Sequence, residues 1–135
     1  MTKESTTTKN LLDELKKVPK IWVKKRHGSA YSTGEPDIAG VYKGKAFFIE
    51  VKRFEDGELS KLQAYTLRDL ALAGSYCGLY AWDHKNKIFR VADQLHSSVW
   101  PDLVGKTRMI LGDGFKTVNM DGHDILKRIN ANKAY

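Results

Sequence analysis

The sequence has 135 residues, is 41% hydrophobic and 29% charged, and carries a formal net charge of +7. This length predicts a single domain with one core of moderate size, and the composition is ordinary for a soluble globular protein. No apolar run approaches the roughly 20 residues that a membrane-spanning helix requires. The polar N-terminus shows no signal peptide, and the single Cys77 cannot form an internal disulfide. We therefore expect an intracellular, cytoplasmic protein.

The excess of positive charge predicts a polyanionic partner. Six basic residues fall within eleven positions, namely Lys16, Lys17, Lys20, Lys24, Lys25 and Arg26. Such a cluster is also compatible with an ordinary solvated face, so charge alone does not decide the function.

The first eight residues contain no apolar anchor and are predicted to form a flexible tail. A single domain is expected over residues 9–135, with a core at about 10–82 and a C-terminal extension at 83–135. Asn10 is predicted to cap a short helix whose apolar residues recur at helical spacing, and Pro19 ends it.

A strand is predicted at residues 20–26, and its two faces carry different residues. One face holds Ile21 and Val23, and the other holds Trp22 and Lys24. Residues 27–34 are rich in Gly, Ser and Thr and are predicted to form a loop.

A β-hairpin is predicted next, with strands at 38–42 and 46–52 that are joined at Lys43 and Gly44. If these two residues are the central turn residues, Asp37 lies opposite Glu50. Directly opposed residues have Cβ atoms about 4.5–5.5 Å apart.

The proposed pairing brings two carboxylates together, and they repel each other unless a positive charge lies between them. A divalent cation would supply that charge. A turn centred one residue later, at Gly44 and Lys45, would instead pair Asp37 with Lys52. The sequence leaves this choice of register open.

The second strand of the hairpin is apolar except for the charges near its end. Alternation places Phe48, Glu50 and Lys52 on one face. A strand with a purely structural role seldom carries an acid inside such a run. A structural salt bridge on an edge strand is the alternative, but it leaves Asp37 and the preceding Gly-x-Pro turn unexplained.

The remaining elements follow from capping and periodicity. Ser60 and Gln63 form a predicted capping box at the start of a helix that runs to about Ala73 and ends at Gly74. Further on, the pattern predicts strands at 76–82 and 87–91, a helical turn at 92–99 that Trp100-Pro101 breaks, a hairpin with strands at 107–111 and 115–118, and a helix at 121–129 capped by Asp121.

Three motifs stand out around the hairpin, namely Gly34-Glu35-Pro36-Asp37, Ile49-Glu50-Val51-Lys52 and Ser60-Lys61-Leu62-Gln63. With the predicted element order, they resemble the PD-(D/E)XK nuclease superfamily, and more closely its VRR-NUC-type branch. Small members of this branch occur in bacteriophages and resemble Holliday junction resolvases; a phage-encoded member would act in the host cytoplasm. The resemblance covers roughly residues 10–82. It implies an α/β, restriction-endonuclease-like core, in which a central mixed β-sheet is flanked by helices in the order αβββαβ.

The resemblance also implies a Mg²⁺- or Mn²⁺-dependent endodeoxyribonuclease. Asp37 and Glu50 would hold the cation together with the main-chain carbonyl of Val51, in line with the preference of hard cations for oxygen. Lys52 would orient the attacking water or help to deprotonate it.

Two further residues are candidates for the site, each with a simpler explanation. Gln63 matches the helix-start glutamine of the family, although the capping box alone accounts for it. Glu14 matches in rough position a helical acid that many members contribute as a metal ligand, and an exposed helix residue would look the same.

Basic residues around the motifs are candidate phosphate contacts, which position DNA without reading its sequence. They are Lys20, Lys24, Lys25, Arg26, Lys43, Lys45, Arg53 and Lys61. Aromatic candidates for base stacking are Trp22, Tyr31, Trp82 and Trp100, although core or interface packing is the commoner role of tryptophan.

The chain shows no appended recognition module, which favours cutting by DNA structure, as on a four-way junction. Two symmetric cuts would suit a homodimer. The alternatives are a restriction-type, nicking or flap endonuclease of the same fold, or a non-catalytic nucleic-acid-binding module.

Overall fold

The computed structural model describes residues 2–26, 34–112 and 115–131 as a mixed sheet with helices on both faces. The elements in chain order are α1 (Glu4–Lys16), β1 (Trp22–Lys25), β2 (Ile38–Tyr42), β3 (Lys45–Arg53), β4 (Glu58–Leu59), α2 (Lys61–Leu72), β5 (Tyr76–Asp83), β6 (Ile88–Asp93), a 3₁₀ helix (Ser97–Leu103), β7 (Gly105–Lys106), α3 (Thr107–Ile110), β8 (Lys116–Val118) and α4 (Gly122–Asn130). None of the helices in these ranges has the length and apolar content needed to cross a membrane.

The six-stranded sheet has the order β1-β2-β3-β5-β6-β8. The β3–β5 pair is parallel and every other neighbouring pair in this sheet is antiparallel. Helix α2 connects the two parallel strands, as a crossover must. The predicted helix, three strands, helix, strand order is confirmed, with the short β4 inserted before α2. A separate two-stranded sheet joins β4 to β7.

The β2–β3 hairpin has the register that a turn at Lys43 and Gly44 predicts. Tyr42 pairs with Lys45, and the ladder continues to Ile38 opposite Ile49. Both turn residues have positive φ, at 48° and 80°, as a type I′ turn requires. The alternative register, with Asp37 opposite Lys52, is therefore wrong.

Two apolar clusters lie on the two faces of the sheet. The first packs α1 and α4 against one face, through residues that include Leu11, Leu15, Ile49, Val51, Phe89, Ile125 and Ile129. The second packs α2 and the 3₁₀ helix against the other, through residues that include Leu59, Leu67, Cys77, Leu79, Trp100 and Leu103. Because side chains alternate along β3, Phe48, Glu50 and Lys52 belong to the α2 face.

Helix α1 begins seven residues earlier than predicted, with Lys3 rather than Asn10 at the N-cap, so the expected flexible tail is helical from Glu4 onwards. The threonines at positions 7 and 8 are buried. They precede Leu11 and Leu12 by one helical turn, so they extend the buried stripe. Their hydroxyls donate within the helix to the carbonyls of Lys3 at 3.3 Å and Glu4 at 2.8 Å, which removes the cost of burying them.

The C-terminal part departs most from the prediction. Residues 107–110 form α3 rather than a strand, and β8 pairs with β6 instead of closing a hairpin. Residues 113–114, at the expected hairpin turn, lie outside the described residues. The 3₁₀ helix passes through Pro101, which was expected to break it. The closing helix α4 and its Asp121 cap are confirmed, since the Asp121 carboxylate accepts from the Asp124 N–H at 3.0 Å.

Candidate active site

The structure brings Asp37 and Glu50 together where β2 begins and β3 approaches its end. Asp37 lies one residue before β2, next in the ladder to the Ile38–Ile49 pair. Its Oδ2 accepts a hydrogen bond from the Val51 N–H at 2.8 Å, which fixes the carboxylate beside β3. The expected juxtaposition of the two acids is therefore present.

Glu50 is a buried carboxylate with one satisfied oxygen and one unsatisfied oxygen. The residue is 2% exposed. Its Oε1 accepts from Gln63 Nε2 at 3.2 Å and lies 3.9 Å from Lys52 Nζ. Its Oε2 is buried and has no hydrogen-bond partner in the described parts of the chain. Since buried polar atoms are nearly always partnered, this oxygen points to a missing proton or cation.

The electrostatics of Glu50 lead to the same conclusion. Burial raises its pKa well above the usual range. The charge of Asp37 raises it further, as does the hydrogen bond that the protonated form of Glu50 can donate to that carboxylate. Lys52 acts in the opposite direction, and the charge of Glu4 adds a smaller increase. An added positive charge between the two acids would stabilise both carboxylates in their ionised form.

Gln63 makes the predicted capping contacts and also contacts Glu50. Its Oε1 accepts from the Ser60 N–H at 2.9 Å, and its own N–H donates to Ser60 Oγ at 3.1 Å, which completes the capping box. Its remaining amide group donates to Glu50. The start of α2 is thereby connected to the buried acid by one side chain.

Gly34 explains why the turn before Asp37 needs glycine. Its φ is +76°, and a Cβ added there would lie 2.8 Å from Leu62 Cγ and 3.1 Å from the Gln63 nitrogen. The chain therefore passes directly over the start of α2. This contact holds the Asp37 turn and the Gln63 turn together.

The acid that α1 brings to this region is Glu4 and not Glu14. Glu4 Oε2 accepts from the Arg53 N–H at 3.2 Å, one residue beyond Lys52. Glu14 lies ten residues further along the helix, about 15 Å away, and its carboxylate is 2.6 Å from Lys17 Nζ. The structure does not bring Glu14 to the pair, so we withdraw it as a candidate ligand.

The carboxylate pair has the donor chemistry that a hard divalent cation prefers. The described residues contain no group of three or more His, Cys, Asp or Glu side chains placed to hold a metal ion. Mg²⁺ does not need such a group, because it commonly binds through one or two carboxylates and keeps water or takes substrate phosphate oxygens for the rest. The unpartnered oxygen of Glu50 and the adjacent Asp37 carboxylate are donors of that kind.

The predicted phosphate contacts are dispersed and not all of them carry a free charge. Arg26 forms an ion pair with Glu35, and Arg53 forms one with Asp56. Glu35 is therefore a surface ion-pair partner and not a member of the site. The hairpin-tip residues Lys43 and Lys45 lie about 17 Å from Asp37, given the length of β2. Exposed cations nearer the carboxylates or on neighbouring elements are Lys20, Lys24 and Lys61, with Lys25 half-buried.

Thr107 lies in the C-terminal region, where the sequence shows no motif, and it contacts the loop that follows Lys52. Its buried Oγ1 lies 2.7, 3.0 and 3.2 Å from the carbonyl oxygens of Arg53, Phe54 and Gly57, and its one proton can be donated to one of these three acceptors at a time. Its N–H donates to Gly57 O at 2.9 Å. Thr107 therefore holds the loop that follows Lys52. A threonine in an unremarkable segment gives no sequence signal for this role.

No family model and no curated protein matches this sequence. Among solved structures, the chain is similar to Hjc, a Holliday junction resolvase from the archaeal hyperthermophile Archaeoglobus fulgidus, with a TM-score of 0.54 and 20% sequence identity. The match covers 80% of this chain and 99% of that one. The two proteins share their fold, and the protein described here therefore has a restriction-endonuclease-like fold, with its carboxylate pair at one end of the central hairpin.

Proposed function

We propose that this protein is a divalent-metal-dependent DNA endonuclease that hydrolyses phosphodiester bonds in branched DNA. The observation that carries the proposal is the Asp37–Glu50 pair, in which a 2% exposed carboxylate keeps one oxygen without a partner. A structural acid in that position would be expected to have both oxygens satisfied. The likeness in fold to a Holliday junction resolvase supports the same reading.

In this proposal Asp37, Glu50 and the Val51 carbonyl hold Mg²⁺ or Mn²⁺. The cation, when bound, polarises the scissile phosphate and makes a water molecule more acidic. The carboxylates supply negative charge that fixes the position of the cation. Gln63 holds Glu50 in orientation through its 3.2 Å hydrogen bond.

Lys52 acts on the attacking water and on the phosphate. Its ammonium is largely buried and lies 3.9 Å from Glu50 Oε1, on the same face of β3. A donor at that position orients a water molecule for attack, and its charge offsets the charge that develops on the phosphate oxygens. Glu4 remains beside the site through the Arg53 N–H and contributes negative charge to it.

The substrate is proposed to be a four-way junction or a related branched DNA, cut by a homodimer. Two symmetric cuts need two sites related by a two-fold axis. The net charge of +7 and the exposed cations near the carboxylates provide contacts to phosphate. The three sequence motifs support placement in the VRR-NUC-type branch, whose small members occur in bacteriophages.

The test is a cleavage assay on labelled four-way junction, flap and linear duplex, each with Mg²⁺, Mn²⁺ or EDTA. We expect paired, metal-dependent nicks on the junction, and loss of cutting in Glu50→Ala and Lys52→Ala. Equal cutting of all three DNAs would contradict selectivity for branched DNA and favour a restriction-type, nicking or flap enzyme. DNA binding without cleavage in either metal would contradict the proposed enzymatic activity and favour a non-catalytic nucleic-acid-binding module.

An exposed carboxylate outside the pair provides the matched control. Glu58 lies exposed on β4, and Glu58→Gln should cut like the unmodified protein. Sedimentation with and without junction DNA measures the assembly. A monomer that makes paired nicks would contradict the proposed homodimer.

A further inference from the structure

Trp22 is an exposed aromatic residue on the same face of the sheet as the candidate active site. In the ladder, Trp22 pairs with Val41, and Val41 pairs with Ala46. Paired residues share a face and every second residue of a strand returns to it. Trp22 therefore lies on the face that carries Glu50, as does Lys24 two residues further along β1.

This tryptophan differs from the other two in its surroundings. Trp100 is buried in the α2-side core, and Trp82 packs edge-on against Phe89 with ring centroids 5.0 Å apart. Trp22 is 57% exposed, and its ladder partner Val41 is 41% exposed. Core or interface packing was the commoner expectation for all three residues, and for Trp22 packing in the core of this chain is wrong.

The ring of Trp22 is surrounded by positive charge. It lines a shallow cavity of about 250 Å³ with Lys24, Lys25 and Arg26, and no acidic residue among those that the structure describes lines it. Arg26 is paired with Glu35, so Lys24 and Lys25 supply the charge. A second copy of this surface would bring the same cations face to face across a two-fold axis, which is unfavourable. Apolar ring and cations together fit a ligand with flat bases and phosphate, which is nucleic acid.

The outer strand connects this cavity to the carboxylates. At the end of β1, the Arg26 N–H donates to the Asp37 carbonyl at 2.7 Å. Trp22 lies four residues back along the strand from Arg26, about 13 Å away at the usual rise of a strand. A DNA strand with its scissile phosphate at Glu50 would reach the ring within a few nucleotides.

We propose that Trp22 is a stacking platform for an unpaired base of the DNA strand that enters the candidate active site, with Lys24 contacting a neighbouring phosphate. The inference rests on the proposed nuclease function and specifies its substrate. Bases inside a duplex have both faces covered by their neighbours, so an exposed ring can accept only a base that has left the stack. The preferred DNA therefore contains unpaired nucleotides close to the bond that is cut.

The experiment measures binding in EDTA, where no cleavage interferes, on a labelled duplex with a single-stranded extension and on the same duplex with blunt ends. Trp22→Ala is expected to weaken binding to the extended duplex about 5- to 150-fold, the range for loss of one base stack, and to leave the blunt duplex unchanged. Trp22→Phe keeps an aromatic face and should retain most of the affinity. Lys24→Ala should weaken both complexes and reduce their salt dependence.

Three outcomes would overturn the inference. Trp22→Ala could bind the extended duplex as tightly as the unmodified protein, or lose the same factor on both DNAs. The variant could also sediment as a monomer where the unmodified protein is a dimer, which would show that the Trp22 surface is a dimer interface. Unchanged thermal unfolding of the exposed-site variant excludes misfolding as a cause of weaker binding. Because binding is measured without metal, absence of cleavage contradicts the proposed nuclease separately from the stacking platform.

Discussion

Replacing Glu50 by glutamine is expected to stabilise the metal-free protein while abolishing its stabilisation by metal. Glu50 is buried, its Oε2 has no partner, and Asp37 is beside it. The amide of Glu50→Gln is neutral, and its NH₂ group can donate to the Asp37 carboxylate where the ionised acid could only repel it. The variant keeps an oxygen to accept from Gln63.

The size of the effect follows from the burial of one unsatisfied oxygen, which costs about 1–3 kcal/mol. Unfolding entropy is about 2.1 cal/mol/K per residue, so for 135 residues each kcal/mol moves the melting temperature by about 3.5 °C. We expect Glu50→Gln to melt about 4–10 °C higher than the unmodified protein in EDTA at a pH where Glu50 is ionised.

The pH dependence has a definite sign. The pKa of Glu50 is raised in the folded state, so between the unfolded and folded pKa values the folded protein binds more protons than the unfolded chain. Stability then falls as pH rises through that window. The carboxyl contributes its stability fully below the unfolded value of about 4.3 and loses it as pH approaches the folded pKa. The Glu50→Gln variant should lack this decline.

Thermal unfolding from pH 4 to 8, in EDTA and in excess Mg²⁺ or Mn²⁺, provides the measurement. Metal at 100 times its dissociation constant should add about 2.7 kcal/mol to the unmodified protein and nothing to the variant. Glu58→Gln, which removes an exposed carboxylate, should follow the unmodified protein throughout. A variant that melts lower than the unmodified protein in EDTA would refute the reasoning that the pair is strained without a cation.

Three other substitutions test separate parts of the site. Gly34→Ala should lower the free energy of unfolding by more than Gly44→Ala. Both residues have positive φ, where a β-carbon costs about 1–2 kcal/mol. At Gly34 the added carbon would also lie 2.8 Å from Leu62 Cγ, whereas at Gly44 it would meet no atom within 4 Å. Equal losses by chemical denaturation would disprove this clash. Thr107→Val should cost about 0.5–1.5 kcal/mol by removing the hydrogen bond of the hydroxyl, since the carbonyls of Arg53 and Gly57 keep their main-chain donors. Thr107→Ser should restore most of this loss, and a Ser variant as unstable as the Val variant would contradict a role that depends on the hydroxyl alone. Glu4→Gln should weaken metal-dependent activity about 10-fold, as loss of a supporting group does, and Glu14→Gln should leave that activity unchanged. A metal titration in which Glu14→Gln loses more activity than Glu4→Gln would make Glu14 a candidate ligand again.

The parts of the site that the sequence predicted correctly depend on short-range rules. The turn at Lys43 and Gly44 fixes the hairpin register, and the register alone places Asp37 beside Glu50. The capping box at Ser60 likewise needs only four residues in a row, and it is present as predicted.

The parts that the sequence did not predict depend on contacts between distant segments. Glu4 accepts from the N–H of Arg53, 49 positions away. It lies in the first turn of α1, a segment that was predicted to be a polar tail because of its threonines. The spacing of those threonines from the following leucines was the one sign in the sequence that the segment is helical. The segment 107–111 contains residues that suit a strand, but Thr107 is held in place by carbonyls more than 50 positions earlier in the chain, at Arg53 and Phe54. Local strand propensity carries no information about hydrogen-bond partners that are so distant in the sequence.

The hydroxyl of Thr107 has a consequence for how the protein matures. The loop after Lys52 is held by a residue that leaves the ribosome more than 50 positions later, and by the pairing of Lys106 with Glu58. A nascent chain that ends before this point contains every motif residue but lacks the bonds that fix the loop between them. Because domains fold as units while synthesis proceeds, the complete geometry arises only after residues 106 and 107 have been synthesised. Hydrogen exchange should accordingly show the segments 53–59 and 105–107 opening together, as one cooperative unit.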